Sequence, residues 1–281
     1  MDKFNALVNL TRINKPIGIF LLLWPTLCAI WLASEGVPNI KILVIFVLGT
    51  ILMRSAGCVA NDLADRNIDP FVKRTKNRPI ASGIVQPKEA LIFLLVLLVF
   101  SFVLVIQLNY LTIWISLGAL LFSLTYPFSK RYFTIPQLYL GFTFSFGILM
   151  AFSAIQNKIP LEALILFIAN IFWVFAYDSH YAITDMEDDK KLNIYSAPLT
   201  FNNKTMLMIV LSYFLMFLCL FIIGILKEYT SSFYILLSLA ILISIYGCFK
   251  SRHMSPHKNF KAFLRNNYVG LTIFAGFFSQ T

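Results

Sequence analysis

Two clusters of acidic residues are the part of this sequence most able to do chemistry. In the first cluster, Asn61, Asp65 and Asp69 follow one another at intervals of four residues. Four residues rotate an α-helix by only about 40° beyond a full turn, so this spacing predicts three oxygen-bearing side chains on one helix face. Such oxygens suit Mg²⁺, which often binds few carboxylates together with substrate phosphate. We therefore predict a magnesium site at this cluster.

The second cluster directly follows an apolar run that ends at Tyr177. Asp178 and Asp185 are seven residues apart, and Asp185 and Asp189 are four apart, so the three carboxylates are predicted to share a helix face. An ionisable group at the end of an apolar run is costly, which indicates a functional site. The lone His180 does not indicate a histidine-ligated metal.

The segments that carry these clusters are strongly apolar. Of the 281 residues, 59% are hydrophobic and 13% are charged, about half the charge of a soluble domain. This composition excludes a soluble, a disordered or a nucleic-acid-binding protein. Backbone groups in lipid must pair internally, so the apolar segments are predicted to be helices. Their predicted ranges are 16–34, 40–60, 90–107, 111–128, 136–155, 161–177, 205–226, 231–249 and 268–278.

The sequence thus predicts an all-α membrane protein with about nine transmembrane helices, in a single domain spanning 1–281. Of the 23 basic residues, all but Lys41, Lys158 and Lys227 fall on one side of the predicted bundle. That side is expected to be cytoplasmic and to carry the amino terminus and both acidic clusters. We predict no cleavable signal peptide and a bacterial inner-membrane location. The four cysteines are expected to be small apolar residues in helices.

Basic residues accompany both acidic clusters. Lys73, Arg74, Lys76 and Arg78 follow just behind the first cluster, and Lys130 and Arg131 lie between the two clusters on the same predicted side. Mg²⁺ together with Arg and Lys can bind a diphosphate and stabilise it as a leaving group. In a membrane, the group that leaves the diphosphate is expected to be a lipid, with apolar helices forming the wall around its tail.

The acidic clusters and their neighbours resemble the UbiA superfamily of intramembrane prenyltransferases. The resemblance covers nearly the whole chain and is carried by residues 12–18, 23–26, 54–65, 74–79, 126–131, 136–137, 177–185 and 266–270. Two motifs are most specific: Asn61-Asp62-x-x-Asp65 and Tyr177-Asp178-x-x-Tyr181-Ala182-x-x-Asp185. The resemblance implies helices around a central cavity that opens laterally to lipid. It is strongest to the branch that prenylates 4-hydroxybenzoate in ubiquinone biosynthesis.

This resemblance implies a reaction and roles for particular residues. A polyprenyl group would pass from polyprenyl diphosphate to the ring carbon ortho to the hydroxyl of 4-hydroxybenzoate, with release of diphosphate. The residues implied to bind the Mg²⁺–diphosphate are Asn61, Asp65, Asp69, Asp185 and Asp189. The bases expected to stabilise the departing diphosphate are Arg74, Arg78 and Lys130. Either Arg54 or Arg131 is expected to hold the aromatic carboxylate, and Asp178 to orient the phenol or act as a base.

The sequence departs from the family pattern at one place and leaves alternatives open. Asn193 and Tyr195 stand where such proteins usually carry a glycine and a lysine. A relative with another aromatic acceptor would share the metal site. An alcohol phosphatidyltransferase would need an Asp-Gly-x-x-Ala-Arg element, which this sequence lacks. A cation-coupled transporter should carry acids near mid-span rather than at helix ends. No obligate protein partner is expected.

Overall fold

The computed structural model describes residues 3–72 and 74–281, and these residues form helices joined by short loops. Lys73, one of the bases counted above, lies outside the described residues. The helices in the described part of the chain are α1 (Lys3–Thr11), α2 (Ile17–Ser34), α3 (Ile40–Ala64), α4 (Pro87–Val105), α5 (Tyr110–Ser129), α6 (Pro136–Gln156), α7 (Leu161–Lys191), α8 (Ala197–Phe201), α9 (Thr205–Leu226), α10 (Ser231–Ser251) and α11 (Pro256–Phe278).

Eight segments in the described residues are long and apolar enough to cross a membrane. They are α2 to α7, the run Ala197–Leu226 that contains α8 and α9, and α10. The predicted all-α membrane fold is therefore confirmed, and the protein is a multi-pass membrane protein. Large apolar side chains on the outer faces of α4 and α5 are exposed, including Phe100 and Trp114, as expected for helices that contact lipid.

The ninth long helix of the described chain, α11, begins earlier than predicted. The sequence pattern placed its start at Tyr268, whereas the helix begins at Pro256. Its first half contains polar residues that lower its hydropathy, although two of them, Asn259 and Asn266, are buried. Their amides are used inside the protein: the Asn266 Oδ1 accepts hydrogen bonds from Trp173 Nε1 at 2.8 Å and from Tyr213 OH at 2.9 Å.

The main apolar core is built by α2, α6, α7, α9, α10 and α11. A smaller core joins α1, α3 and α4 through residues such as Leu10, Val59 and Leu94. Asn39 and Asn109 begin α3 and α5 by accepting hydrogen bonds from the backbone N–H groups of Lys41 and Thr112, as helix N-caps do.

The longest helix, α7, is long enough to carry Asp185 and Asp189 beyond a membrane core. Its 31 residues span roughly 46 Å at about 1.5 Å per residue, whereas the hydrocarbon core of a bilayer is about 30 Å thick. The helix therefore continues past its apolar part, and Asp185 and Asp189 lie in the last two turns. All three carboxylates predicted to share this helix do so.

Candidate active site at the ends of α3 and α7

The first acidic cluster is not a continuous helix face, which corrects the sequence-based prediction. The helix α3 ends at Ala64, Asp65 is its C-cap residue, and Asp69 begins a separate 3₁₀ turn. The chain continues in a turn here, since the backbone N–H groups of Ile68 and Asp69 both donate to the Asp65 carbonyl, at 2.8 and 2.9 Å. Asn61, Asp65 and Asp69 are thus kept near one another by a helix end followed by a turn.

Asp65 lies at the centre of this cluster. It is 2% exposed, and its Oδ2 accepts from Lys130 Nζ at 2.5 Å and from Asn61 Nδ2 at 3.3 Å. The other oxygen, Oδ1, is buried and accepts no hydrogen bond. Arg131 Nη2 lies 3.7 Å from Oδ1 but donates instead to the Ala64 carbonyl at 2.6 Å. One buried carboxylate oxygen is therefore left for a further electropositive partner.

Asp62 is a residue of this site to which the sequence analysis assigned no role. It is 2% exposed, and its Oδ1 pairs with Arg12 and accepts from Arg78 Nη1 at 3.0 Å. The same Arg78 nitrogen lies 2.8 Å from Asp69 Oδ2. Arg78 is therefore held between two buried carboxylates. The signal available in the sequence was the acid next to Asn61, but its basic partners are 50 and 16 residues away.

The negative charge of the Asp69 carboxylate is unfavourable in its surroundings. Burial raises its pKa above the ordinary value, Arg78 opposes that rise, and the neighbouring Asp62 and Asp65 add to it. The backbone carbonyl of Asp69 is fixed by the Thr75 hydroxyl, which donates to it at 2.9 Å. A bound cation would offset the repulsion within this group of carboxylates.

Arg74 and Asp185 join the first cluster to the second. Arg74 Nε lies 3.0 Å from Asp185 Oδ1, and Arg74 Nη2 lies 2.5 Å from Asp185 Oδ2. The guanidinium also stacks on the Tyr181 ring, 4.8 Å from its centroid. Asp189, one turn beyond Asp185, is acted on electrostatically by both Arg74 and Lys130. The two acidic clusters therefore face each other across a shared set of bases.

The segment that departs from the family pattern lies beside Lys130. Asn193 has φ of 51°, a left-handed conformation in which glycine and asparagine are the favoured residues. Asn193 thus adopts a backbone conformation that a glycine at this position would also adopt readily. Tyr195 donates its backbone N–H to the Lys130 carbonyl at 2.9 Å, and its side chain is exposed.

The carboxylates and the bases of this site are paired with each other. Among the described residues, no three His, Cys, Asp or Glu side chains are grouped closely enough to hold a metal ion together. The donor set nevertheless fits a hard divalent cation, since it consists of carboxylate and amide oxygens, and the buried Asp65 Oδ1 has no hydrogen-bond partner. Asn61, Asp65, Asp69, Asp185 and Asp189 are the residues that would supply the oxygens.

Below this polar cluster lies a cavity of about 200 Å³ between α2, α3, α4, α5 and α6. Most of its lining is apolar, and Arg54 and Tyr126 also line it. Arg54 forms no ion pair within 4 Å among the described residues, and its guanidinium lies over the Phe144 ring at 5.7 Å. A Cβ on Gly18 would stand 2.5 Å from Arg54 Nε, so the glycine makes room for this guanidinium.

Asp178 is the third carboxylate of α7, about two turns before Asp185. Arg54, which lines the cavity, and Gln137 at the start of α6 both act on it electrostatically. The Gln137 Oε1 accepts from the Ala197 backbone N–H at 2.9 Å. Asp178 is therefore influenced both by a residue of the cavity and by Asp185 of the charged cluster.

Helices α4 and α5 both line the cavity. Each of these helices packs mainly on another partner, α4 on α3 and α5 on α6, and the two contact each other only lightly. The line of light contact is called the seam between α4 and α5 below. Ser101 and Phe102 of α4 and Leu120 and Ser123 of α5 line the cavity behind this seam.

Comparison with known sequences gives a consistent match over the chain. A family model described as the UbiA prenyltransferase family matches residues 22–269. A protein of Nitrosomonas eutropha named 4-hydroxybenzoate octaprenyltransferase is 49% identical over 282 aligned residues, which cover 100% of this chain and 98% of that protein. A protein of the same name from Ectopseudomonas mendocina is 48% identical, over 96% of this chain and 91% of its own length.

Solved structures share the fold at lower sequence identity. The apo structure of a UbiA homolog from Aeropyrum pernix has a TM-score of 0.81 and 23% identity, over 92% of this chain and 96% of that chain. A UbiA homolog from Archaeoglobus fulgidus, solved bound to GPP and Mg²⁺, has a TM-score of 0.75 and 16% identity, over 98% of this chain and 99% of that chain.

Proposed function

The chain belongs to the UbiA prenyltransferase family, and from this premise we propose that it transfers a polyprenyl group from polyprenyl diphosphate to 4-hydroxybenzoate in ubiquinone biosynthesis. Full-length relatives at 47–49% identity carry the name 4-hydroxybenzoate octaprenyltransferase, which also makes an octaprenyl donor the first to test. The observation that carries the proposal is the pairing of two facing carboxylate clusters with Arg74, Arg78 and Lys130 directly above an apolar cavity.

Binding of the donor requires an exchange of partners at this site. Asn61, Asp65, Asp69, Asp185 and Asp189 would hold Mg²⁺, which supplies positive charge against the diphosphate when it is bound. Arg74, Arg78 and Lys130 then turn from the carboxylates to the diphosphate oxygens. Guanidinium groups pair with phosphate in the same two-point geometry that they use with carboxylate, so the exchange needs little movement of Arg74.

The apolar cavity holds the first isoprene units and excludes water. The bond between the allylic carbon and the diphosphate oxygen breaks, and its electrons leave with the diphosphate, whose charge the three bases stabilise. The ring carbon ortho to the phenol hydroxyl forms the new carbon–carbon bond, and loss of the ring proton restores aromaticity. A dry site protects the allylic cation from hydrolysis. The rest of the prenyl tail passes between α4 and α5 into lipid.

Arg54 is the better of the two arginines for the aromatic carboxylate. It lines the cavity without an ion-pair partner among the described residues, whereas Arg131 is engaged by Ala64 and Asp65 at the helix end. With the carboxylate on Arg54, the phenol end of the acceptor points toward the diphosphate. Asp178 orients the phenol hydroxyl or accepts its proton.

We further propose that residues 1–281 act as one domain in a bacterial inner membrane, with the amino terminus and the active-site loops in the cytoplasm. The asymmetry of the basic residues supports this orientation. The substrates are polyprenyl diphosphate and 4-hydroxybenzoate, and no protein partner is part of the proposal.

The test uses detergent-permeabilised membranes that contain the full chain, labelled 4-hydroxybenzoate and octaprenyl diphosphate, with and without Mg²⁺. An apolar labelled product that requires Mg²⁺ and is lost in Asp65→Asn is expected. No product from folded wild-type protein would overturn the 4-hydroxybenzoate assignment, and other aromatic acceptors offered in parallel would then identify the related activity. Product formation without any divalent ion would overturn the metal role alone.

A further inference from the structure

The carboxyl-terminal part of the chain carries positive charge that no described residue pairs with in a salt bridge. From residue 229 to 281 the sequence has no Asp or Glu, and its basic residues are Lys250, Arg252, Lys258, Lys261 and Arg265. This stretch is fully described, and none of its bases forms a salt bridge with another described residue. By contrast, Arg12, Arg74, Arg78 and Lys130 all pair with carboxylates.

Two of these bases converge on one aromatic ring from two different helices. Lys250 Nζ, on α10, lies 5.6 Å from the centroid of the Tyr246 ring, and Arg265 Cζ, on α11, lies 4.9 Å from the same centroid. The Tyr246 ring is half exposed. Attraction to the ring face positions each cation, but the two cations also repel each other. An anion placed beside both would relieve that repulsion.

A third base is arranged in the same way nearby. Arg252 Cζ lies 4.2 Å from the centroid of the Phe249 ring, which is exposed. Phe249 is three residues after Tyr246 on α10, so the two rings are neighbours on the helix surface. The group of Tyr246, Phe249, Lys250, Arg252 and Arg265 is called the α10–α11 basic cluster below.

The position of the α10–α11 basic cluster along the two helices indicates which kind of anion would meet it. Arg265 lies just before the apolar half of α11 that begins at Tyr268, and Tyr246 lies about one turn before the polar end of α10. Exposed aromatic rings at such a boundary lie at headgroup level, and basic side chains there meet lipid phosphates. We propose that the α10–α11 basic cluster binds the phosphate headgroup of an anionic phospholipid from the cytoplasmic leaflet.

The positive-inside rule alone does not account for this arrangement. That rule requires bases on one side of the membrane but does not require them to lie close together. Here, bases from two helices lie against the same Tyr246 ring. A lipid phosphate bound by Lys250 and Arg265 would also link α10 to α11. The cluster contains no residue of the candidate active site, so the proposal stands or falls independently of prenyl transfer.

The proposal is tested by native mass spectrometry of the purified full chain titrated with phosphatidylglycerol or with phosphatidylcholine. We compare wild type with the double variant Lys250→Gln/Arg265→Gln. The matched control is Lys88→Gln/Lys204→Gln, which removes the same charge from two exposed bases outside the cluster that form no salt bridge. Each base near an anionic surface contributes about five-fold in binding, so the cluster variant is expected to bind phosphatidylglycerol on the order of 30-fold more weakly.

A second measurement addresses the link between the two helices. Phosphatidylglycerol is expected to raise the thermal unfolding temperature of wild type and of the control variant, and not that of the cluster variant. Tyr246→Leu keeps an apolar side chain but removes the ring face, and it is expected to weaken phosphatidylglycerol binding less than the double variant does. It replaces the double variant in both measurements if the double variant does not fold. Equal binding of phosphatidylcholine by wild type, or equal weakening in the control variant, would overturn the proposal.

Discussion

Arg74 and Asp185 form a two-point ion pair, with nitrogen–oxygen distances of 3.0 and 2.5 Å, across 111 residues of sequence. The pair joins the loop after α3 to the carboxyl-terminal end of α7. Asp185 belongs to the carboxylates proposed to hold Mg²⁺, and Arg74 to the bases proposed to hold diphosphate. Arg74 therefore binds the carboxylate that is proposed to hold Mg²⁺, and Asp185 binds the guanidinium that is proposed to hold diphosphate.

Removing the charge of Asp185 should abolish activity while the fold is kept. Asp185→Asn retains the size of the side chain but weakens both its metal binding and its pair with Arg74, and we expect kcat/KM to fall on the order of 100-fold or more. Steady-state assays over a range of Mg²⁺ concentrations measure the effect. Glu187→Gln, an exposed acid on the same helix, is the control and should stay within about two-fold of wild type. Comparable losses in both variants would contradict the assigned role.

Asp62 should act through Arg78. Because Arg78 Nη1 lies 3.0 Å from Asp62 Oδ1 and 2.8 Å from Asp69 Oδ2, Asp62→Asn releases one side of the guanidinium. We expect the KM for the prenyl diphosphate to rise about ten-fold, and Arg78→Lys to have a similar effect.

The double variant distinguishes this positioning role from a general loss of structure. If Asp62 works by holding Arg78, the effects of Asp62→Asn and Arg78→Lys should be non-additive by about 1 kcal/mol or more. Strict additivity of the two KM changes would show that Asp62 acts on the site independently. The same cycle with Glu187→Gln in place of Asp62→Asn should be additive.

The extent to which the sequence predicts this site depends on the residue. The composition and apolar runs predict the helices, and the spacing of Asp178, Asp185 and Asp189 predicts their shared helix correctly, since α7 is continuous through them. The same reasoning was wrong for Asp69. The spacing by four residues is equally compatible with a helix that ends at Ala64 and is followed by a turn, and nothing in periodicity distinguishes the two.

The remaining differences come from contacts between distant parts of the chain. The early start of α11 depends on buried amides such as Asn266, which hydropathy counts as polar although α7 and α9 satisfy them. Likewise, the partners of Asp62 are selected by tertiary packing, which brings α1 and the loop after α3 to the end of α3. Sequence spacing contains no information on such pairings.

Asn266 should be a stability residue rather than a catalytic one. Its Oδ1 accepts from both Trp173 Nε1 and Tyr213 OH, so Asn266→Ala leaves two buried donors without a partner. We expect a loss of about 1–3 kcal/mol in the free energy of unfolding, with kcat/KM of the remaining folded enzyme unchanged. Thermal unfolding in detergent measures the loss.

The neighbouring residue provides a graded control for this prediction. Asn267 accepts from a single donor, Trp24 Nε1, at 2.9 Å, so Asn267→Ala should destabilise the protein less than Asn266→Ala. A larger effect at Asn267, or a selective loss of turnover in Asn266→Ala without destabilisation, would contradict the structural role.

Gly18 should control the position of Arg54. An alanine methyl group there would stand 2.5 Å from Arg54 Nε and 2.6 Å from Nη2. Because the clash involves the end of a flexible side chain, Gly18→Ala should displace the guanidinium with little loss of stability. We expect the KM for 4-hydroxybenzoate to rise about ten-fold and the KM for the prenyl diphosphate to change little. Gly247→Ala, where a Cβ meets only Ala262 Cβ at 4.0 Å and which lies outside the cavity lining, should leave the acceptor KM unchanged. An unchanged acceptor KM in Gly18→Ala would argue against Arg54 as the carboxylate-binding residue.

The seam between α4 and α5 should determine which donors are accepted. Ser101 of α4 lines the cavity behind this seam, so Ser101→Trp would fill the proposed exit of a long prenyl tail. Geranyl diphosphate ends before it reaches the exit and should remain a substrate. For octaprenyl diphosphate, Ser101→Trp should lower kcat/KM on the order of ten-fold more than it does for geranyl diphosphate. Phe100→Trp is the control, because residue 100 is 58% exposed on the outer face of the same helix, and it should change kcat/KM for neither donor.

The ratio of the two kcat/KM values is the measured quantity, since it cancels any general loss of folded enzyme. If Ser101→Trp lowers kcat/KM equally for both donors, the tail leaves the cavity by another route. The light contact between α4 and α5 then has no part in substrate binding.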